Sequence, residues 1–156
     1  TGSERWPLHL VSNQPTVRLH SQYDHTEPSA GSKVAGREPV RIHPDLAQER
    51  GIVDGDVVRV FNERGACLAG AVLDDALMPE VVQLSTGAWY DPDSEGMCRA
   101  GNPNVLTRDK GTSKLAQGPS AHTCLVDIER FNEVAPRVEA YDLPQFIHRA
   151  QSETDV

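Results

Sequence analysis

Two polar, turn-rich segments carry the groups best suited to chemistry. The first, Asn13-Gln14-Pro15-Thr16-Val17-Arg18-Leu19-His20-Ser21-Gln22, follows a strand-like run and mixes a fixed cation with amide, hydroxyl and imidazole groups. The second begins Gly101-Asn102-Pro103-Asn104-Val105-Leu106-Thr107 and continues through Asp109-Lys110-Gly111-Thr112-Ser113-Lys114-Leu115-Ala116-Gln117-Gly118. Side chains of these types pair with the donor and acceptor edges of a heteroaromatic ring, and backbone amides beside hydroxyls can seat a phosphate. Long loops are costly to order and in compact domains commonly have a function. The chemistry that fits both is capture of a nucleotide-like ligand. On composition alone the same residues also serve as plain turn formers, with Arg18 covering a surface carboxylate. Gly111-Thr112-Ser113-Lys114 is not a P-loop, because the earlier glycine of that motif is missing.

Other chemistries are poorly served. Cys67, Cys98 and Cys124 are widely spaced, form no Cys-x-x-Cys pair and are odd in number, which argues against zinc, redox and disulfide frameworks. Cys67 and Cys124 lie in apolar runs and read as buried, inert thiols. His9, His20, His25, His43, His122 and His148 make no i, i+4 pair, so no metal site built by this chain is expected, and no catalytic residue is assigned. Asp24, His25 and Glu27 read as solvated loop residues. A formal net charge of -8, scattered along the chain, argues against nucleic acid as a partner. No apolar run is long enough for membrane insertion as a helix.

The elements that must position the two loops are mostly strands. Period-two alternation and β-branched residues mark Pro7 to Ser12, Glu38 to His43, Asp56 to Phe61, Ala66 to Leu73, Glu80 to Ser85 and His122 to Ile128. Asn62-Glu63-Arg64-Gly65 joins two of them as a hairpin, with Gly65 suited to a left-handed turn position. Pro44 opens a short helix, Asp45 to Arg50, that Gly51 closes. His20 to Lys33 reads as a surface loop or a partly ordered crossing. Residues 1–130 are expected to form the barrel domain, and 131–156 a tail, partly helical or frayed, with a weakly amphipathic stretch from Leu143 to Ala150. Val57, Val60, Val72, Val82, Leu84, Leu125 and Val126 are the expected core. The pattern predicts a mainly β fold, a closed barrel of six or seven strands with short helices and long ligand-binding loops.

Taken as a set, Arg18-Leu19-His20-Ser21-Gln22, Gly87-Ala88-Trp89-Tyr90-Asp91-Pro92, Gly101 to Thr107 and Gly111 to Gly118 follow the order seen in the dimethyl sulfoxide reductase family. The chain resembles that family from Pro7 to Ile128, closest to its trimethylamine N-oxide and biotin sulfoxide reductase branches. The resemblance implies a double-psi β-barrel, the C-terminal domain of a larger polypeptide, lying over a bis-molybdopterin guanine dinucleotide cofactor that carries molybdenum. It implies contacts to that cofactor from Asn13, Gln14, Arg18, His20, Ser21, Gln22, Asn102, Asn104, Thr112, Ser113 and Gln117. The family often has histidine where Gln14 stands, which keeps a hydrogen-bonding group and removes a titratable one. It further implies that the remaining domains of the parent reductase are the partners, that the serine ligand to the metal lies upstream and is none of Ser12, Ser21 or Ser113, and that the isolated chain is inactive. The N-oxide branch is typically periplasmic and the biotin sulfoxide branch cytoplasmic. The start at Thr1-Gly2-Ser3, without methionine, reads as a fragment or a processed piece.

Three alternatives stay open at this level. His20 is either a ligand or a structural histidine at a strand end. Trp89 and Tyr90 either pack the barrel wall or approach a substrate funnel. Finally, Gly51-Ile52-Val53-Asp54-Gly55-Asp56-Val57-Val58-Arg59-Val60 also resembles barrels that recognise protein substrates for ATPases, which would make the chain a stand-alone protein-recognition module.

Overall fold

The computed structural model describes residues 3–147. Six strands, β1 (Leu8–Val11), β2 (Pro39–Ile42), β3 (Val57–Phe61), β4 (Ala66–Leu73), β5 (Val81–Leu84) and β6 (Cys124–Arg130), close into a barrel in the order β1-β5-β2-β4-β3-β6. The β1–β5 and β2–β4 pairs are parallel and the other four are antiparallel. The two longest connections, β1 to β2 and β5 to β6, join strands that are not neighbours in the barrel and so cannot be tight hairpins, and they supply the loops.

Alternate residues of each strand fill the interior. Leu8 and Leu10, Val40 and Ile42, Val58 and Val60, Val82 and Leu84, and Val126 and Ile128 are all buried. Each such side chain contributes roughly 1.5–3 kcal/mol of transfer free energy. Among the expected core residues, Val60, Val82, Leu84 and Val126 are buried, whereas Val57, Val72 and Leu125 lie half-exposed on the outer face. Period two explains the difference: Val57 and Val60 are three apart and cannot share a face, and Leu125 is adjacent to inward-facing Val126.

The short helix α2 runs Pro44–Glu49, opened by proline and capped by His43, whose Nδ1 accepts from the Asp45 amide at 3.1 Å. Gly51, at φ 62°, turns the chain out of it. The segment expected as a loop holds a further helix, α1 (Glu27–Ser32), with Pro28 in its first turn and Ser29 buried. Gly65 does not occupy a left-handed position. The Asn62 side chain shapes that hairpin by accepting from the Arg64 amide at 2.9 Å. Gly65 is required instead by close packing, since a Cβ there would stand 2.7 Å from the Val105 carbonyl oxygen. In the tail, described residues 131–147 contain no helix, and the remainder of the Leu143 to Ala150 stretch lies outside the described residues.

Candidate functional site

Beyond one end of β5, residues 86–91 cross the loop that follows β1. The crossing is close: a Cβ on Gly87 would stand 1.8 Å from the His20 carbonyl oxygen, and Gly87 has φ 94°. Only glycine satisfies both conditions. His20 itself sits at φ 50°, an uncommon conformation for a residue with a side chain. Trp89 adds a bond between the same loops, its Nε1–H donating to the Ser21 carbonyl at 2.7 Å.

The second polar loop arrives alongside. Asn102, almost fully buried, accepts from the Asn104 amide through Oδ1 at 2.9 Å and caps a single 3₁₀ turn, Pro103–Val105. Asn104 is exposed. Between the loops lies an open cleft of about 570 Å³ lined by His20, Ser21, Gly87, Tyr90, Asn102 and Asn104 among others, with Ala140 of the tail at its edge. The two loops singled out in the sequence thus meet at one end of the barrel. Asn104 also borders a neighbouring cleft that includes Gly111 and Gln117.

The remaining expected contacts are placed differently. Thr112, Ser113 and Gln117 lie on an exposed loop that folds back on itself, with the Thr112 amide donating to the Gly118 carbonyl at 2.9 Å and the Ala116 amide to Ser113 Oγ at 3.0 Å. Gln117, at φ 50°, lines the neighbouring cleft beside Asn104. Asn13 faces a separate cleft with Thr16, Arg41 and Ser85, and its Oδ1 accepts from Ser85 Oγ at 3.1 Å. Gln14 donates to the Arg18 carbonyl at 2.8 Å. Gln22 is exposed and its amide closes a tight turn onto Leu19.

Arg18 is neither a surface cover nor an open ligand group. Its guanidinium is fully buried, paired with Glu38 at 3.0 Å and with Asp24 at 3.4 Å. It also donates to the Thr86 carbonyl at 2.9 Å and the His20 carbonyl at 3.2 Å, so it braces both cleft loops from behind. Lys33 completes the cluster, 2.6 Å from Asp24 and 2.9 Å from Glu38. Two cations balance two anions, as burial of charge requires.

Asp24, expected in solvent, is the hub of this network. Its Oδ1 accepts from Ser29 and Lys33, and its Oδ2 from the Trp89 amide at 2.9 Å and the Tyr141 hydroxyl at 2.8 Å. Burial by itself would raise the carboxyl's pKa. The hydrogen bonds from Lys33, Trp89 and Tyr141, with the charge of Lys33, overcome that and hold it below the usual carboxylate value. Tyr141 moves the other way: burial and the Asp24 carboxylate push its hydroxyl well above the ordinary tyrosine range. The Trp89 ring packs between His25 and Tyr141, at 5.4 and 5.6 Å between centroids, at the barrel end and not in its wall, while Tyr90 is mostly exposed at the cleft. Charge spacing was the one available signal for the network. Arg18, Asp24, Lys33 and Glu38 lie within one crossover, but nothing in hydropathy marks them as buried.

Cys67, Cys98 and Cys124 are free and buried, with burial raising the Cys67 and Cys124 thiols above the ordinary cysteine value. Among the described residues no cluster of ligating side chains could hold a metal ion, and no helix is long and apolar enough to cross a membrane.

The fold and site define a mixed barrel with amide- and hydroxyl-bearing loops gathered at one end, and comparison gives its family. Residues 8–125 match the model described as "Molydopterin dinucleotide binding domain", and the chain belongs to that family. It is 53% identical over 148 residues to a trimethylamine-N-oxide reductase of Salmonella typhi, covering 92% of this chain and 17% of that protein. It is 54% identical over 142 residues to trimethylamine-N-oxide reductase 1 of Escherichia coli K12, covering 88% and 17%. It is 51% identical over 137 residues to a biotin sulfoxide reductase of Cereibacter sphaeroides, covering 86% and 18%. The chain therefore spans about a sixth of the length of these relatives. In fold it is similar to acetylene hydratase from Pelobacter acetylenicus, with a TM-score of 0.66, 16% identity, and coverage of 81% of this chain and 18% of that one. The double-psi barrel expected from the sequence is thereby the fold of a molybdopterin domain, and the stand-alone protein-recognition reading is not favoured.

Proposed function

We propose that this chain clamps a bis-molybdopterin guanine dinucleotide in an oxidoreductase that reduces N-oxides or S-oxides, the remaining domains of the same enzyme being its partners. The observation that supports this most strongly is the cleft in which His20 and Ser21 meet Asn102 and Asn104 across 80 residues of sequence.

The donor set suits such a group. Asn104 and Ser21 present side chains that both donate and accept hydrogen bonds, which suits a guanine edge or a ribose. Asn102 fixes the turn beneath Asn104, while Arg18, Asp24 and Trp89 hold the facing loop. Gln117, beside the same Asn104, is placed to extend the contact surface. When bound, the cofactor supplies the oxygen-transfer and electron chemistry, and the protein supplies grip and orientation. Preorganised loops lower the entropy lost on binding, so strained residues such as His20 and Gln117 are held in place before the ligand arrives.

The full-length enzyme carrying Asn104→Ala or Gln117→Ala tests this reading. Molybdenum content and reductase rates toward trimethylamine N-oxide, dimethyl sulfoxide and biotin sulfoxide should fall together in each variant, and the isolated chain should show no turnover. Full metal occupancy with normal rates in both variants, or turnover by the isolated chain, would overturn it.

A further inference from the structure

The tail segment 136–142 is attached to the barrel by contacts from four separate places. Arg37 donates to the Pro136 carbonyl, and Asp91 accepts from the Glu139 amide at 2.9 Å. Arg99 pairs with Glu139 at 3.0 Å, and Tyr141 donates to Asp24 at 2.8 Å. Ala140, between the last two anchors, lines the cleft that holds His20, Ser21, Asn102 and Asn104. The Tyr141 ring packs against Trp89, the residue that holds the Ser21 carbonyl.

Resting on the cofactor-clamping reading above, we propose that residues 136–142 form a wall of the dinucleotide cleft and that Tyr141 is a positioning residue for it. The route is short. Asp24 Oδ2 accepts from both the Tyr141 hydroxyl and the Trp89 amide, so the hydroxyl fixes where the carboxylate stands and the carboxylate fixes the start of the Trp89 loop. Removing the hydroxyl leaves a fully buried acceptor short of one donor, and Asp24 then moves toward Lys33 and releases Trp89. Asp24, Trp89 and Tyr141 all lie outside the barrel strands. Ala140 acts by size: a larger side chain there enters the cleft.

The test uses the full-length enzyme with Tyr141→Phe, Ala140→Leu and, as a control that loosens the tail without touching Asp24, Glu139→Gln. The readouts are guanosine monophosphate released by acid hydrolysis per polypeptide after timed dialysis, and the thermal unfolding midpoint by circular dichroism. Tyr141→Phe and Ala140→Leu should lose the nucleotide about five- to tenfold faster than wild type. Both should unfold within about 2 °C of it, and Glu139→Gln should lose the nucleotide less than twofold faster. Retention equal to wild type in both variants overturns the proposal, as does faster loss that Glu139→Gln reproduces in full. Should Tyr141→Phe fail to fold, Ala140→Leu decides alone. Wild-type protein without any guanine nucleotide would instead refute the cofactor reading on which the proposal stands.

Discussion

The His20 carbonyl oxygen occupies the space that a Cβ on residue 87 would need, 1.8 Å from its position, and Gly87 holds φ 94° there. Gly87→Ala therefore meets two penalties, a left-handed backbone and a backbone clash that no rotamer change relieves. The expected outcome is a loss of at least about 2 kcal/mol of unfolding free energy, read from the denaturant midpoint. Gly96→Ala serves as comparison: it shares positive φ at 88° but has open space around it, and should cost about 1 kcal/mol. Equal losses in the two variants would mean that the loops do not pack against each other at Gly87.

Arg18→Ala should destabilise the fold as well as weaken cofactor binding. It strips Asp24 and Glu38 of a buried partner and leaves the Thr86 and His20 carbonyls without a donor. Breaking one side of a buried ion pair costs about 3–5 kcal/mol. Denaturant unfolding of the variant checks this. A change within 0.5 kcal/mol, about the size of a surface substitution, would return Arg18 to the role of an exposed ligand group.

Strand positions and the short helix after Pro44 were legible in the sequence, because period-two burial and proline–glycine punctuation are local signals, whereas the meeting of two distant loops followed only from the family resemblance, which sets one ligand against both. The face of each strand was less so where valines fill consecutive positions, as at Val57-Val58, since hydropathy cannot choose between them. The network behind the cleft left only a weak trace, four charged residues within one crossover. Asp24 and Lys33 look like any solvated pair until the crossover folds Glu38 and Arg18 onto them. Tyr141 joins Asp24 across 117 residues, a distance over which no local pattern speaks.

Stability should fall at both ends of the pH range for separate reasons. Asp24 has a folded pKa below its ordinary value of 3.8, so its contribution is complete above that value and is lost as pH falls from there through the folded value. Tyr141 has a folded pKa above its ordinary value of 10.0, so its contribution is complete below 10.0 and is lost as pH rises through the folded value. The buried Cys67 thiol adds an alkaline component of the same sign, beginning near its ordinary 9.0. Denaturant midpoints measured from pH 2 to 11, about the span of those ordinary values, should show both declines, and Tyr141→Phe should flatten the alkaline one above pH 10.0. An unchanged alkaline limb in that variant would show that Tyr141 ionises as freely in the fold as in water.

Asn102 offers a way to separate the turn from the ligand. Its Oδ1 caps the 3₁₀ turn by accepting from the Asn104 amide at 2.9 Å, a task that an aspartate oxygen performs equally well. Asn102→Asp should thus keep the fold within about 0.5 kcal/mol, whereas Asn102→Ala loses the cap and about 1 kcal/mol with it. Their effects on cofactor should run in the opposite order. An aspartate beside His20 and Ser21 places a negative charge in a cleft proposed to receive a phosphate-bearing dinucleotide, and like charges at short range repel more strongly in a partly buried site than in water. Asn102→Asp should lower cofactor occupancy of the full-length enzyme at least about tenfold, equivalent to 1.4 kcal/mol, with alanine intermediate. Metal content and thermal unfolding measured on the same preparations at pH 8 give the comparison. If the aspartate variant binds as well as wild type, the phosphates of the ligand do not approach Asn102, and the dinucleotide must enter from the side of Gln117 and Gly111 instead.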